Sequence, residues 1–187
     1  MSPERMRGRP ERERKPLTVE EIAKIATEVA LETGGHVPTL VIEGSKGSAV
    51  CYLEGFPYEQ REKRLLMAKT GFMVARKGGV GFLEGVSLVS EAWLSVAEEG
   101  RLPDVPPSED PNRREVLIVN RCDVKAKKTV SVLFEMLRDG EGRLVDLGRI
   151  DPEEEAGVRG RGKAETKSPL MDAFVEGFQR GMRGRGR

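Results

Sequence analysis

The sequence is poor in the side chains that most often carry chemistry. It has one histidine, His36, and two cysteines, Cys51 and Cys122, in 187 residues. Zinc takes three or four Cys, His or carboxylate ligands held close together, so no metal site and no cofactor are expected. Two isolated cysteines make no disulfide framework. Both fall in β-rich runs and read as small buried apolar groups. A nucleophilic cysteine needs a base, and His36, which follows Gly34-Gly35, reads as a turn residue. Aromatic residues make up 5% of the chain, and Trp93, the single tryptophan, is expected in the core with its indole N–H on an acceptor. No apolar run approaches the ~18–20 residues of a membrane span. No apolar segment follows the basic start, so it does not read as a secretory signal. The expectation is a cytoplasmic protein with reduced thiols and no membrane contact.

The chain also lacks a strong overall charge, since the net value is +1. Its distribution is uneven. Residues 1–16 hold six basic residues and three acids, for +3, and residues 177–187 hold four arginines and no acid, for +4. The remainder must therefore carry −6. Basic ends flank a mildly acidic middle, a pattern of solvated arms that in some proteins contact nucleic acid.

What is present is a clear alternation of element signals. Residues 1–16 hold almost nothing to bury and read as a disordered basic arm. Thr18 and Glu21 form a capping box, and Ile22, Ile25, Ala26, Val29 and Ala30 recur at helical spacing. "TLVIE", "GSKG" and "SAVCYL" read as strand, turn and strand. A second helix is expected from Tyr58 to about Arg76, with Leu65, Ala68, Phe72 and Ala75 as its apolar stripe. Val86 to Val96 fits a strand and also a helix, and the strand is preferred. "EVLIVNRCDV", "TVSVLFEML" and "RLVDLGRI" read as three strands of an antiparallel meander. Val130, Val132, Phe134 and Met136 alternate with Leu133 and Leu137, so the second face of the sheet is partly apolar; if both faces are apolar, another subunit or the C-terminal helix must cover the second. The expected fold is α+β: a single antiparallel sheet of about five to six strands, two helices packed on it, most simply on one face, and a C-terminal helix. The expected division is an arm at 1–16, the α+β domain at 17–150, a flexible linker at 151–167, and a short amphipathic helix with an Arg-Gly tail at 168–187. In that helix Leu170, Phe174 and Phe178 form an apolar stripe for docking on protein. Gly177 and Gly181 weaken it by roughly 1 kcal/mol each relative to alanine.

Residues 97–115 form a loop crowded with proline and acid. Its prolines stiffen it and deny it ladder hydrogen bonds, and Asp110-Pro111-Asn112 is a turn signal. It reads as a connection, with Arg113, Arg114 and Glu115 discouraging edge pairing where the next strand begins. "EGSKGS" lacks the spacing that wraps a phosphate.

Pro103-Asp104, followed by Asp123-Val124-Lys125, resembles the P-D…(D/E)-x-K signature of a large nuclease superfamily. That resemblance implies a magnesium-dependent nuclease or hydrolase with Asp104 and Asp123 on the metal and Lys125 on the attacking water. Arg7-Gly8-Arg9-Pro10 resembles the core of the AT-hook. In such a motif two arginines lie along a narrow A·T minor groove and proline directs the chain outward. Glu11 and Glu13 then interrupt the basic run. Arg183, Arg185 and Arg187, spaced by glycine, resemble generic Arg-Gly arms that bind DNA or RNA electrostatically. With no catalytic constellation in view, the functional expectation is a non-enzymatic binding or assembly protein. Its tails Arg7, Gly8, Arg9, Pro10, Arg183, Arg185 and Arg187 would contact nucleic acid. The alternatives are the hydrolase and a purely structural homo-oligomer.

Overall fold

Alternating apolar residues on both faces of the β-rich runs require a sheet with cover on each side. The computed structural model, which describes residues 15–95, 105–150 and 168–184, has that form. In chain order the elements are α1 (Val19–Thr33), β1 (Thr39–Gly44), β2 (Gly47–Tyr52), α2 (Gln60–Lys77), β3 (Leu83–Leu94), β4 (Arg114–Asp123), β5 (Lys128–Arg138), β6 (Leu144–Ile150) and α3 (Pro169–Arg183). The six strands form one sheet in the order β2-β1-β3-β4-β5-β6, and every neighbouring pair is antiparallel. The class is α+β, as the hydrophobic alternation implies.

The strand expected from Val86 to Val96 is observed as β3, which ends at Leu94; Val96 lies outside the described residues. In β3, Val86 and Leu88 point to one core and Val89 to the other. A helix could not place adjacent apolar residues on opposite sides in this way.

The expectation of two helices on one face does not hold. α1 packs across β4, β5 and β6 on one face, where Val19, Ile22, Ala23, Ala26 and Ala30 meet Leu117, Val119, Val132 and Met136. α2 and α3 cover the opposite face, where Met67, Phe174 and Phe178 join Leu40, Ile42, Val86 and Leu88. A sheet apolar on both sides cannot leave one side to water, so the helices divide between them.

α1 begins at the capping box foreseen from its sequence. The Glu21 N–H donates to Thr18 Oγ1 at 3.2 Å, and the Thr18 N–H donates to Glu21 Oε2 at 2.7 Å. These bonds from Thr18 hold the Glu21 carboxyl below its ordinary pKa. Gly34 closes the helix in the left-handed conformation, at φ 79°.

The apolar stripe of α2 differs from the expected one. Met67, Gly71 and Ala75 are its buried residues, while Leu65 and Phe72 are 62% and 44% exposed. The reason is the partner. α2 packs against α3, and helices come closest where side chains are smallest. A Cβ added to Gly177 would overlap the carbonyl oxygen of Ala68, one on Gly71 would overlap that of Phe174, and one on Gly181 would lie 2.7 Å from the Ala75 Cβ. Gly177 and Gly181, read from sequence as weak points of α3, are what admit α2.

The contacts advance together along both helices. Ala68 meets Gly177, Ala75 meets Gly181, and Arg76 Nη1 donates to the Gly184 carbonyl. α2 and α3 therefore run in the same direction.

Helix propensity alone predicts that Gly177→Ala stabilises the protein by about 1 kcal/mol. The contact with Ala68 reverses the sign. Overpacking is expected to cost about 1–3 kcal/mol, read as a lower midpoint in urea unfolding.

Candidate functional site

α1 covers only half of its face. Among the described residues no element covers β1 and β2 on that side, and a groove of about 930 Å³ runs beside the helix. Ile22, Ile25 and Val29 form its wall, Val41, Val50 and Tyr52 its floor, and Gly35, His36 and Val37 close one end. Ile25, Val29, Val37, Val50 and Tyr52 are 39–70% exposed. Monomeric proteins seldom expose apolar side chains in such a contiguous set.

The sequence contains the signal for this groove. Ile25 and Val29 belong to the stripe read as core-facing, yet α1 has apolar residues over too wide an arc for one packed face. Ile22, Ala26 and Ala30 are buried on the sheet, and Ile25 and Val29 are left on the groove wall.

Charged residues hold both ends. At one end the His36 backbone N–H donates to Glu91 Oε1, and Gly35 lies so close that a Cβ there would be 2.9 Å from the same oxygen. Beyond Glu91, Arg138 donates to both carboxylate oxygens of Glu115, at 2.6 and 2.8 Å, and at 3.1 Å to the Gly34 carbonyl at the end of α1. The bonds to Glu115 raise the Arg138 pKa further.

At the other end the Leu17 N–H donates to Glu43 Oε1 at 2.7 Å. The second carboxylate oxygen of Glu43 is ion-paired with Arg121, which also donates to Ser87 Oγ at 3.3 Å. Gly85 leaves space for this guanidinium, since a Cβ there would lie 2.9 Å from Arg121 Nη2. The pair is largely sequestered, with side-chain exposures of 13% for Arg121 and 10% for Glu43. It joins the start of α1 to β1 and β4.

The loop between β3 and β4 lies at the Glu91 end, where Leu94 pairs with Arg114. Residues 96–104, including Asp104, lie outside the described residues. Trp93 is not in the core. It is 46% exposed, and the Arg113 guanidinium sits over its ring at 4.7 Å. β4 is a central strand, so its first charges are not edge protection. Arg114 pairs with Glu135 at 3.4 Å and Glu115 with Arg138. Asp110 Oδ1 accepts from the Asn112 N–H at 2.8 Å, the turn its sequence implies.

The other residues singled out from sequence are placed as follows. Asp123 ends β4, and its carboxylate accepts from the Ala126 N–H at 2.7 Å in the turn that carries Lys125. Among the described residues no group of three or more His, Cys, Asp or Glu is placed to hold a metal ion. Arg7, Gly8, Arg9, Pro10, Arg185 and Arg187 lie outside the described residues, and Arg183 is exposed in the last turn of α3. Phe174 and Phe178 are buried within their own chain, and Leu170 is half-buried against the same cluster. His36 sits between α1 and β1, its Nδ1 2.8 Å from the Val37 carbonyl. No helix among the described residues is long and apolar enough to cross a membrane.

Comparison with models of known families, with curated proteins and with solved structures finds no match to this chain.

Two measurements check this geometry. Arg121→Met strands the Glu43 carboxylate and is expected to cost about 3–5 kcal/mol. Glu43→Gln combined with Arg121→Met should cost less than the sum of the single changes, read by urea unfolding as a double-mutant cycle. Burial also pushes the Cys51 and Cys122 thiols above their ordinary pKa. At pH 8 both should alkylate with iodoacetamide more slowly in the native protein than in urea, as followed by mass spectrometry.

Proposed function

We propose that this chain is a non-enzymatic binding protein whose groove beside α1 seats an amphipathic segment of a partner polypeptide, apolar on one side and basic along its border. The observation that carries this reading is the groove itself, with Ile25, Val29, Val50 and Tyr52 exposed around one open channel. Among the described residues two helices lie over the opposite face of the sheet and one over this face, beside which the groove runs.

Charge favours a basic occupant. Glu28 and Glu32 are exposed on α1, three residues beyond Ile25 and Val29 respectively, and Glu91 lines the far end. A second α1 in the groove would bring acids against acids, so a second copy of this chain is the less complementary occupant. Grooves of this kind take the apolar face of an amphipathic helix, with border charges setting orientation and partner choice.

The test uses two labelled model helices of about 18 residues, one of leucine and lysine and the other of leucine and glutamate. Fluorescence polarisation should show the lysine peptide binding wild type at least tenfold more tightly than the glutamate peptide. Val29→Asp/Val50→Asp, confirmed folded by circular dichroism, should abolish the difference. Equal binding of both peptides to wild type, or unchanged binding to the double variant, refutes the reading. A concentration-dependent dimer that Val50→Asp dissolves would assign the groove to a second copy instead.

A further inference from the structure

The end of the sheet opposite Glu91 gathers basic residues from elements far apart in sequence. Lys46 lies in the β1–β2 turn, and its N–H donates to the Val80 carbonyl at 2.9 Å, just past the end of α2. The Val124 N–H donates to the Glu84 carbonyl at 3.0 Å, which brings the β4–β5 turn, with Lys125 and Lys127, beside the start of β3. Arg76 and Lys77 occupy the last turn of α2, and Arg180 and Arg183 that of α3. The contact between Arg76 and Gly184 puts these two turns together. α1 starts at this end too, since Leu17 is bonded to Glu43 near the end of β1.

Part of this charge has an internal explanation. α2 and α3 run in the same direction, so their partial negative C-terminal charges adjoin, and arginine or lysine in the last turns relieves them. That argument does not reach Lys46, Lys125 or Lys127, which stand exposed on turns. The acids of this end are largely engaged. Glu43 holds Arg121, Glu20 holds Arg149 at 3.0 Å, and Glu21 caps α1. Asp123 accepts from its own turn, and Glu84 is exposed. Among these cations Phe82 is 73% exposed. Its backbone is fixed by bonds to Ser45, with the Ser45 N–H donating to the Phe82 carbonyl at 2.9 Å and the Phe82 N–H to Ser45 Oγ at 3.0 Å.

We propose that this end of the sheet is a nucleic-acid-binding surface. Lys46, Lys77, Lys125 and Lys127 contact the phosphate backbone, and Phe82 stacks on an unpaired base. Dispersed cations around one exposed aromatic ring match a single strand, whose bases are free to stack while its phosphates lie across the lysines. A bilayer surface would need a larger apolar anchor than one phenylalanine. The inference is independent of the groove, whose lining includes none of these lysines nor Phe82.

The test measures fluorescence anisotropy of the full-length chain with a labelled single-stranded DNA of about 20 nucleotides, longer than one domain's usual site. RNA of the same sequence, the DNA duplex, and phosphatidylserine vesicles complete the set. Wild type should bind the single strands in a salt-dependent manner. Lys46→Glu/Lys77→Glu/Lys125→Glu/Lys127→Glu should lower affinity at least tenfold and reduce the log–log salt slope by roughly 3. Phe82→Ala should weaken single-strand binding about fivefold or more and leave duplex binding unchanged. Arg64→Glu, on α2 away from this end, should change neither, and circular dichroism should show every variant folded. The proposal is overturned if wild type binds no oligonucleotide at low salt, if the four-charge variant keeps the wild-type slope, or if the vesicles are preferred to every oligonucleotide.

Discussion

β3 and β4 are apolar on both sides, and the remaining architecture follows from covering them. Val86 and Leu88 face one core while Val89, Leu117 and Val119 face the other. A strand pair of this kind must sit in the middle of a sheet with a layer on each face. The hairpin β1–β2 lies on one side of it and β5–β6 on the other. The three helices are then divided two against one. The face with two helices closes through glycine and alanine at the α2–α3 contact. The face with one helix closes only over β4, β5 and β6, and the uncovered remainder is the groove.

The same division organises the polar groups. The Glu43–Arg121 pair sits under the start of α1 and joins helix to sheet, and Arg138 receives the other end of the helix at Gly34. A buried pair of this kind contributes little net stability, because removing two charges from water costs about as much as their attraction returns. Its consequence is register. With Leu17 also bonded to Glu43, α1 cannot slide over β1 and β2 and close the groove without breaking that set. The groove is therefore part of the fixed architecture of the folded chain.

The two proposed surfaces lie on different parts of one rigid sheet. The groove is apolar with acidic borders, and the end of the sheet beyond the β1–β2 turn is basic. A molecule built in this way can hold a basic amphipathic segment and a polyanion together, because the two sites share no residue and differ in sign.

Sequence by itself determined the local structure. The capping box at Thr18, the hairpin at Ser45-Lys46, the meander after Arg114 and the opening of α3 at Ser168-Pro169 all follow from interactions within a few residues. The alternation in β5 marked a partly apolar second face, yet only the side of Val132 and Met136 is packed under α1, while Leu137 on the other is 43% exposed. What tertiary structure alone decided was which element took which face. Periodicity identifies an apolar arc but not its partner, so Ile25 and Val29 read as core and became the groove wall, while Leu65 and Phe72 read as core and faced water. Gly177 and Gly181 read as defects until a second helix lay against them, because the cost of a side chain depends on what stands opposite it. Lys46, Lys77, Lys125 and Lys127 lie up to 81 positions apart in the chain, and only the folding of the sheet brings them to one end.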